Sequence, residues 1–144
     1  MNKKKLEDYF LSEMENIRHT VSILENFLGT VSDPPQTTQL AAISVFLHNI
    51  YGGFENFLKR LARFHGLPMD KTDRWHQNLL AVSQEQRWID EELNKRLTAM
   101  LSFRHAFVHS YVFNIPWDQL RPLAYSAAET ASLFEKQMVS LLPR

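Results

Sequence analysis

LAAISVFLHNIYGGFENFLKRLARF, residues 40–64, carries apolar side chains at Leu40, Ile43, Leu47, Ile50, Phe54, Phe57, Leu61 and Phe64. The intervals are threes and fours, the repeat of one helix face and not the alternation of a half-buried strand. A helix this long, apolar along one stripe, needs other helices to cover it. Asp33 before Pro34 predicts its N-terminal cap, with proline in the first turn, and Gly66 and Pro68 predict its end. Gly52 and Gly53 stand in its middle, where each costs about 0.8–1 kcal/mol relative to Ala. Two readings compensate that cost: close packing against a neighbouring helix, or a backbone held near a partner protomer or ligand.

The same period continues on both sides. Leu6, Phe10, Met14, Ile17, Val21, Leu24 and Leu28 form one stripe of a first helix from about Lys5 to Leu28, with Gly29 placed as its C-terminal cap. A shorter helical segment is expected over Thr72 to Val82, and a long one from Glu85 to about Val112. Asn114, Ile115 and Pro116 break the latter before a last helix from Trp117 to Leu141. No repeat, linker or low-complexity run divides residues 1–144. The expectation is one all-α domain, an up-and-down bundle of four long helices and one short one.

Composition narrows the function classes. A chain of 144 residues buries about two-thirds of the surface that its unfolded form exposes, so it needs neither disulfide nor metal for stability. The absence of cysteine excludes thiolate zinc sites and a catalytic thiol. The N-terminal segment puts acids where a signal peptide needs an apolar core, and no apolar run approaches membrane-spanning length, so a cytoplasmic location is expected, with no membrane partner. Net charge is zero but unevenly spread: residues 1–58 hold four basic and seven acidic side chains, residues 59–104 nine and six. The middle of the chain is therefore the place to look for a basic face.

The segment LSFRHAFVHSYVFNIP, residues 101–116, concentrates Arg104, His105, His109 and Tyr111. Along the seam Ile89, Leu93, Leu97, Met100, Arg104, Val108 and Tyr111, the guanidinium falls on an apolar stripe, where it needs a partner such as Glu55, a cleft or an interface. His105 and His109 lie four apart on one helix face, but no H-E-x-x-H pattern and no cysteine completes a metal site, and no metal or cofactor is assigned. His19, His48, His65 and His76 are isolated singles, read as surface or satisfied core histidines.

Arg and His together suit a metal-free ribonuclease. The imidazole moves a proton near neutral pH, the permanent cation stabilises charge on the attacked phosphate, and the ribose 2′-hydroxyl serves as internal nucleophile. Geometry sets a condition on this chemistry. Positions five apart on an unbroken helix differ by about 140° in direction, so either the helix unwinds near His109 or two copies of the segment meet across a twofold axis.

The run Arg104-His-Ala-Phe-Val-His109-Ser-Tyr111 resembles the R-x-x-x-x-H-x-Y motif of HepT-like proteins, HEPN-superfamily toxins of bacterial and archaeal toxin–antitoxin pairs. A second Arg-to-His spacing, Arg60-Leu-Ala-Arg-Phe-His65, has Leu67 where the motif needs tyrosine and is read as coincidence. NIYGGFENFLKRLA at 49–62 and WHQNLL at 75–80 look like segments that many members carry, so the resemblance extends over roughly Leu40 to Tyr125. Many members have Asn directly after the Arg, where this chain has His105.

The resemblance implies a HEPN-like helical fold, a homodimer with a composite cleft, and metal-independent endoribonuclease activity carried by Arg104 and His109. It also implies an MntA-type nucleotidyltransferase antitoxin that transfers AMP to Tyr111. Two alternatives belong to other classes: a non-catalytic HEPN module that docks on a nucleotidyltransferase, and an unrelated helical interaction protein in which the motif is accidental.

Overall fold

Asn2 starts the first helix by accepting a hydrogen bond from the Lys5 backbone N–H (2.8 Å), one of the four amides that a helix start leaves unpaired. The computed structural model describes residues 1–142, in which the helices are α1 (Lys3–Leu28), α2 (Thr37–Phe64), α3 (Trp75–Glu85), α4 (Glu91–His109) and α5 (Trp117–Leu141). A single 3-10 turn, Val112–Asn114, lies between α4 and α5. Four long helices and one short one make an all-α bundle with no strand among the described residues, as the periodicity requires.

All seven residues of the expected α1 stripe are buried, and they meet α2 and α5. Phe10 contacts Phe57 edge-on with ring centroids 5.0 Å apart, and Phe54 lies 4.6 Å from Phe134 of α5. Such pairs supply shape as well as burial. Gly53 resolves half of the glycine question. A Cβ there would stand 2.6 Å from Ile17 Cγ1 and 2.9 Å from its Cδ1, so the missing side chain is what lets α1 and α2 approach. A Cβ on Gly52 would meet nothing within 4 Å, so packing does not explain that residue.

Several boundaries differ from the sequence expectation, each for a local reason. Asp33 does not cap α2; the helix begins at Thr37, with Gln36 in extended conformation as its N-cap. Gln39 closes that end instead, its Oε1 accepting from the Gln36 amide (2.9 Å) and the Ser32 hydroxyl (3.0 Å). Asp33 accepts from Trp117 Nε1 (3.2 Å) and so fastens the loop to the start of α5.

The short helix runs three residues later than expected at both ends. Asp70 Oδ1 takes the Thr72 amide and hydroxyl, both at 2.6 Å, and holds that segment in a turn before Trp75. α4 starts at Glu91 and not at Glu85, because Arg87 adopts a left-handed φ of 63° that ends one helix before the next begins. Asp90 then caps α4 by accepting from the Leu93 amide (2.8 Å). At its other end α4 stops at His109, not Val112, since Ser110 is fully extended at φ −128° and ψ 159°. α5 has the expected bounds.

The apolar seam of α4 also departs from expectation beyond Met100. Leu93, Leu97 and Met100 are buried, but Val108 and Tyr111 are exposed, and burial passes to Leu101 and Phe103. The last turns of α4 leave the core, which frees one side of them. No helix among the described residues is long and apolar enough to cross a membrane.

Candidate functional site

Four polar side chains recur along one face of α2 at intervals of four, three and four: Ser44, His48, Tyr51 and Glu55. Ser44, Tyr51 and Glu55 are buried, in a helix whose neighbouring stripe is wholly apolar. Buried polar groups need partners, and this row is short of them. The Ser44 hydroxyl, His48 Nδ1 and the Tyr51 hydroxyl are all buried without a hydrogen-bond partner among the described residues. Only Glu55 is satisfied, by His76 Nδ1 of α3 at 2.7 Å, and the His76 ring in turn lies against Trp75 with centroids 3.7 Å apart.

α4 crosses this row with its last turns. Phe107 packs on the His48 ring at 5.2 Å and on Phe103 at 5.8 Å, which directs the side of α4 that carries Arg104 toward α2. Arg104 is half-buried there and forms no ion pair or hydrogen bond among the described residues. Of the partners open to Arg104 in the sequence, Glu55 is not taken up; that carboxylate pairs with His76.

The guanidinium nevertheless governs its surroundings. His48 is held below the usual imidazole range, first by burial and then by the Arg104 charge, with Glu55 opposing. The Tyr51 hydroxyl is pushed far above the ordinary phenol range, first by burial and then by the Glu55 carboxylate. A neutral histidine, a neutral tyrosine and a fixed cation thus share one partly open corner.

His109 lies elsewhere. It ends α4 on the exposed side, its ring 4.6 Å from that of His105, and Tyr111 follows it in extended chain. Within one copy, therefore, Arg104 faces α2 while His105 and His109 face solvent. The break in α4 comes after His109, so it does not swing the imidazole round to the guanidinium. Tyr111 is 73% exposed and lies parallel to the ring of Phe113, 65% exposed, with centroids 5.5 Å apart and planes within 5°. No group of three His, Cys, Asp or Glu side chains among the described residues is arranged to hold a metal ion.

The second Arg-to-His spacing is occupied at both ends. Arg60 lies over the Tyr9 ring at 4.1 Å, and His65 caps α2 while stacking on Trp88 at 5.4 Å.

Sequence reading treated His48 as an isolated residue and did not connect Ser44 or Tyr51 with the motif. The signal was present: a polar row at helical spacing beside an apolar one. It was hidden because tyrosine and serine pass for ordinary core residues until their unpaired atoms are seen.

A family model described as HepT-like protein matches residues 42–142, from the first turns of α2 to the end of α5. No curated protein and no solved structure gives a significant match. The match covers most of the chain and contains the Arg104-to-Tyr111 motif, the row on α2 and the helix that follows. By fold and by family, the chain belongs to the HepT-like proteins of HEPN type.

Proposed function

We propose that this chain is a metal-independent endoribonuclease toxin, held in check by an MntA-type nucleotidyltransferase antitoxin. The observation that carries the reading is the state of the motif: the chain leaves the Arg104 guanidinium without a partner and His109 and Tyr111 open to solvent at the end of one helix. An unpaired cation beside a neutral, partly buried corner is suited to bind an anion, and a phosphodiester is the anion that matches the neighbouring imidazole.

In the reaction, His109 accepts the proton of the ribose 2′-hydroxyl, whose oxygen attacks the adjacent phosphorus. The bond from phosphorus to the 5′-oxygen breaks, leaving a 2′,3′-cyclic phosphate, and the departing oxygen takes a proton from water, whose hydroxide recovers the one held on His109. Arg104 neutralises charge on the non-bridging oxygens as attack proceeds. Because one copy splays the two side chains, the productive site takes Arg104 from one protomer and His109 from its partner across a twofold axis. Control follows from Tyr111: its hydroxyl oxygen attacks the α-phosphorus of ATP, pyrophosphate leaves, and the attached AMP fills the crevice with bulk and negative charge.

The test is cleavage of RNA in chelator. Native protein is expected to cut; His109→Ala and Arg104→Ala, both folded by circular dichroism, are expected not to. Intact RNA after incubation with well-folded native protein ends the catalytic reading and leaves a module that docks on a nucleotidyltransferase. Intact mass after incubation with the partner and ATP, for native protein and Tyr111→Phe, tests the control step separately.

A further inference from the structure

Two large aromatic rings stand in water immediately beyond His109. Tyr111 and Phe113 are parallel within 5°, with centroids 5.5 Å apart, and each is about two-thirds or more exposed. They are not loose. The 3-10 turn between them packs against α2, Val112 faces the core, and Ile115 is 5% exposed, so the backbone is anchored while the two rings project. Exposed apolar surface held out by an anchored turn marks a place for an occupant.

Charge identifies that occupant. No Asp or Glu occurs between Glu92 and Asp118, whereas Arg104, His105 and His109 all do. Of the acids packed nearby, Glu55 is held by His76 and Asp33 by Trp117. A second copy covering the rings would set these cations against themselves unless an anion lay between them. A planar group attached to a phosphate meets both requirements at once: its base lies on the rings and its phosphate meets the cations.

We infer that Tyr111 and Phe113 form a stacking platform for an unpaired nucleobase next to the bound phosphodiester, which selects single-stranded over duplex RNA. This rests on the ribonuclease reading for the identity of the anion. A base inside a duplex has both faces covered and cannot reach the rings. Phe113 is the sharper probe, since it has no hydroxyl to be modified and lies outside the R-x-x-x-x-H-x-Y motif.

The experiment is fluorescence anisotropy with a labelled 2′-O-methyl RNA, which lacks the nucleophile and so stays intact, offered as a single strand and as a blunt duplex. With the native chain the single strand is expected to bind the tighter of the two. Phe113→Ala should weaken single-strand binding by about 5- to 150-fold, the range for loss of one stacked base. Phe113→Trp should retain binding, and Phe113→Leu, which keeps bulk but not the ring face, should not.

Equal affinity of native and Phe113→Ala protein overturns the platform, as does failure of the native chain to bind the single strand. So does a Phe113→Ala protein whose only change is its sedimentation, which would assign the rings to a contact between copies. Cleavage of unmodified RNA separates the two readings. Binding that follows the ring without any cleavage keeps the platform and removes catalysis, whereas cleavage indifferent to Phe113 removes the platform and keeps catalysis.

Discussion

Arg60 with His65 and Arg104 with His109 are the same pattern twice: five residues apart, each at the C-terminal end of a long helix. At the end of α2, Arg60 lies over the Tyr9 ring and His65, though exposed, stacks on Trp88. At the end of α4 the guanidinium has no partner and the imidazole meets only His105. Spacing is shared; occupancy is not. The difference lies in partners and not in exposure: Tyr9 of α1 and Trp88 reach the end of α2, whereas α4 runs past the core in its last turns, and a motif is free for chemistry only where its cation and imidazole are not already engaged.

The comparison breaks most sharply in cleavage. His109→Ala is expected to lower the rate by about 10²- to 10⁴-fold, the usual contribution of a positioned acid–base group, whereas His65→Ala should cut RNA as the native chain does. If His65→Ala is equally inactive while fully folded, the distinction drawn from occupancy is wrong.

A second contrast lies between the adjacent glycines. Gly53→Ala forces Ile17 aside and is expected to lower stability by about 1–3 kcal/mol, reduced in part by the better helix propensity of alanine. Gly52→Ala meets open space and should raise stability by up to about 1 kcal/mol, read from urea midpoints at constant slope.

The polar row beside Arg104 gives a pH signature. His48 is held below its ordinary value of 6.5 in the fold, so the unfolded chain takes up a proton first as pH falls. Stability from this group is complete above about 6.5 and is lost on going down toward the lowered folded value. Melting temperature should therefore fall between pH 7.5 and 5.5, less steeply in His48→Gln, and less steeply in Arg104→Ala, which removes the charge that helps to keep His48 neutral. An unchanged slope in both variants would separate Arg104 from the row. The smallest effect is at the end of α2, where Arg60→Ala should cost about 0.5–1 kcal/mol through the lost contact with Tyr9, checked by thermal unfolding.

How much was legible follows from where each signal resides. The α1 stripe depends on apolar period and the start of α5 on the breakers Asn114 to Pro116, and both were readable residue by residue. The starts of α2 and α4 were not, because each turns on a local detail, the closure of the loop by Gln39 and a left-handed arginine, that outweighs the capping residues nearby. The motif residues were legible as types at a spacing. Their separation onto two sides of α4 was foreseeable from helical geometry, whereas the pairing of Glu55 with His76 was not, since those two residues are 21 positions apart in the chain.

The amino-acid sequence by itself determined that this chain is helical, how many helices it has, and that one of them ends in an Arg and a His followed by a Tyr at a family's spacing. These are properties of neighbours along the chain, where period and residue type suffice. Only the tertiary structure decided which cation stays unpaired, which polar atoms of α2 are buried without partners, and which rings are left in water. Those depend on what a second helix brings to the same point, and distance in space is not written in the order of residues.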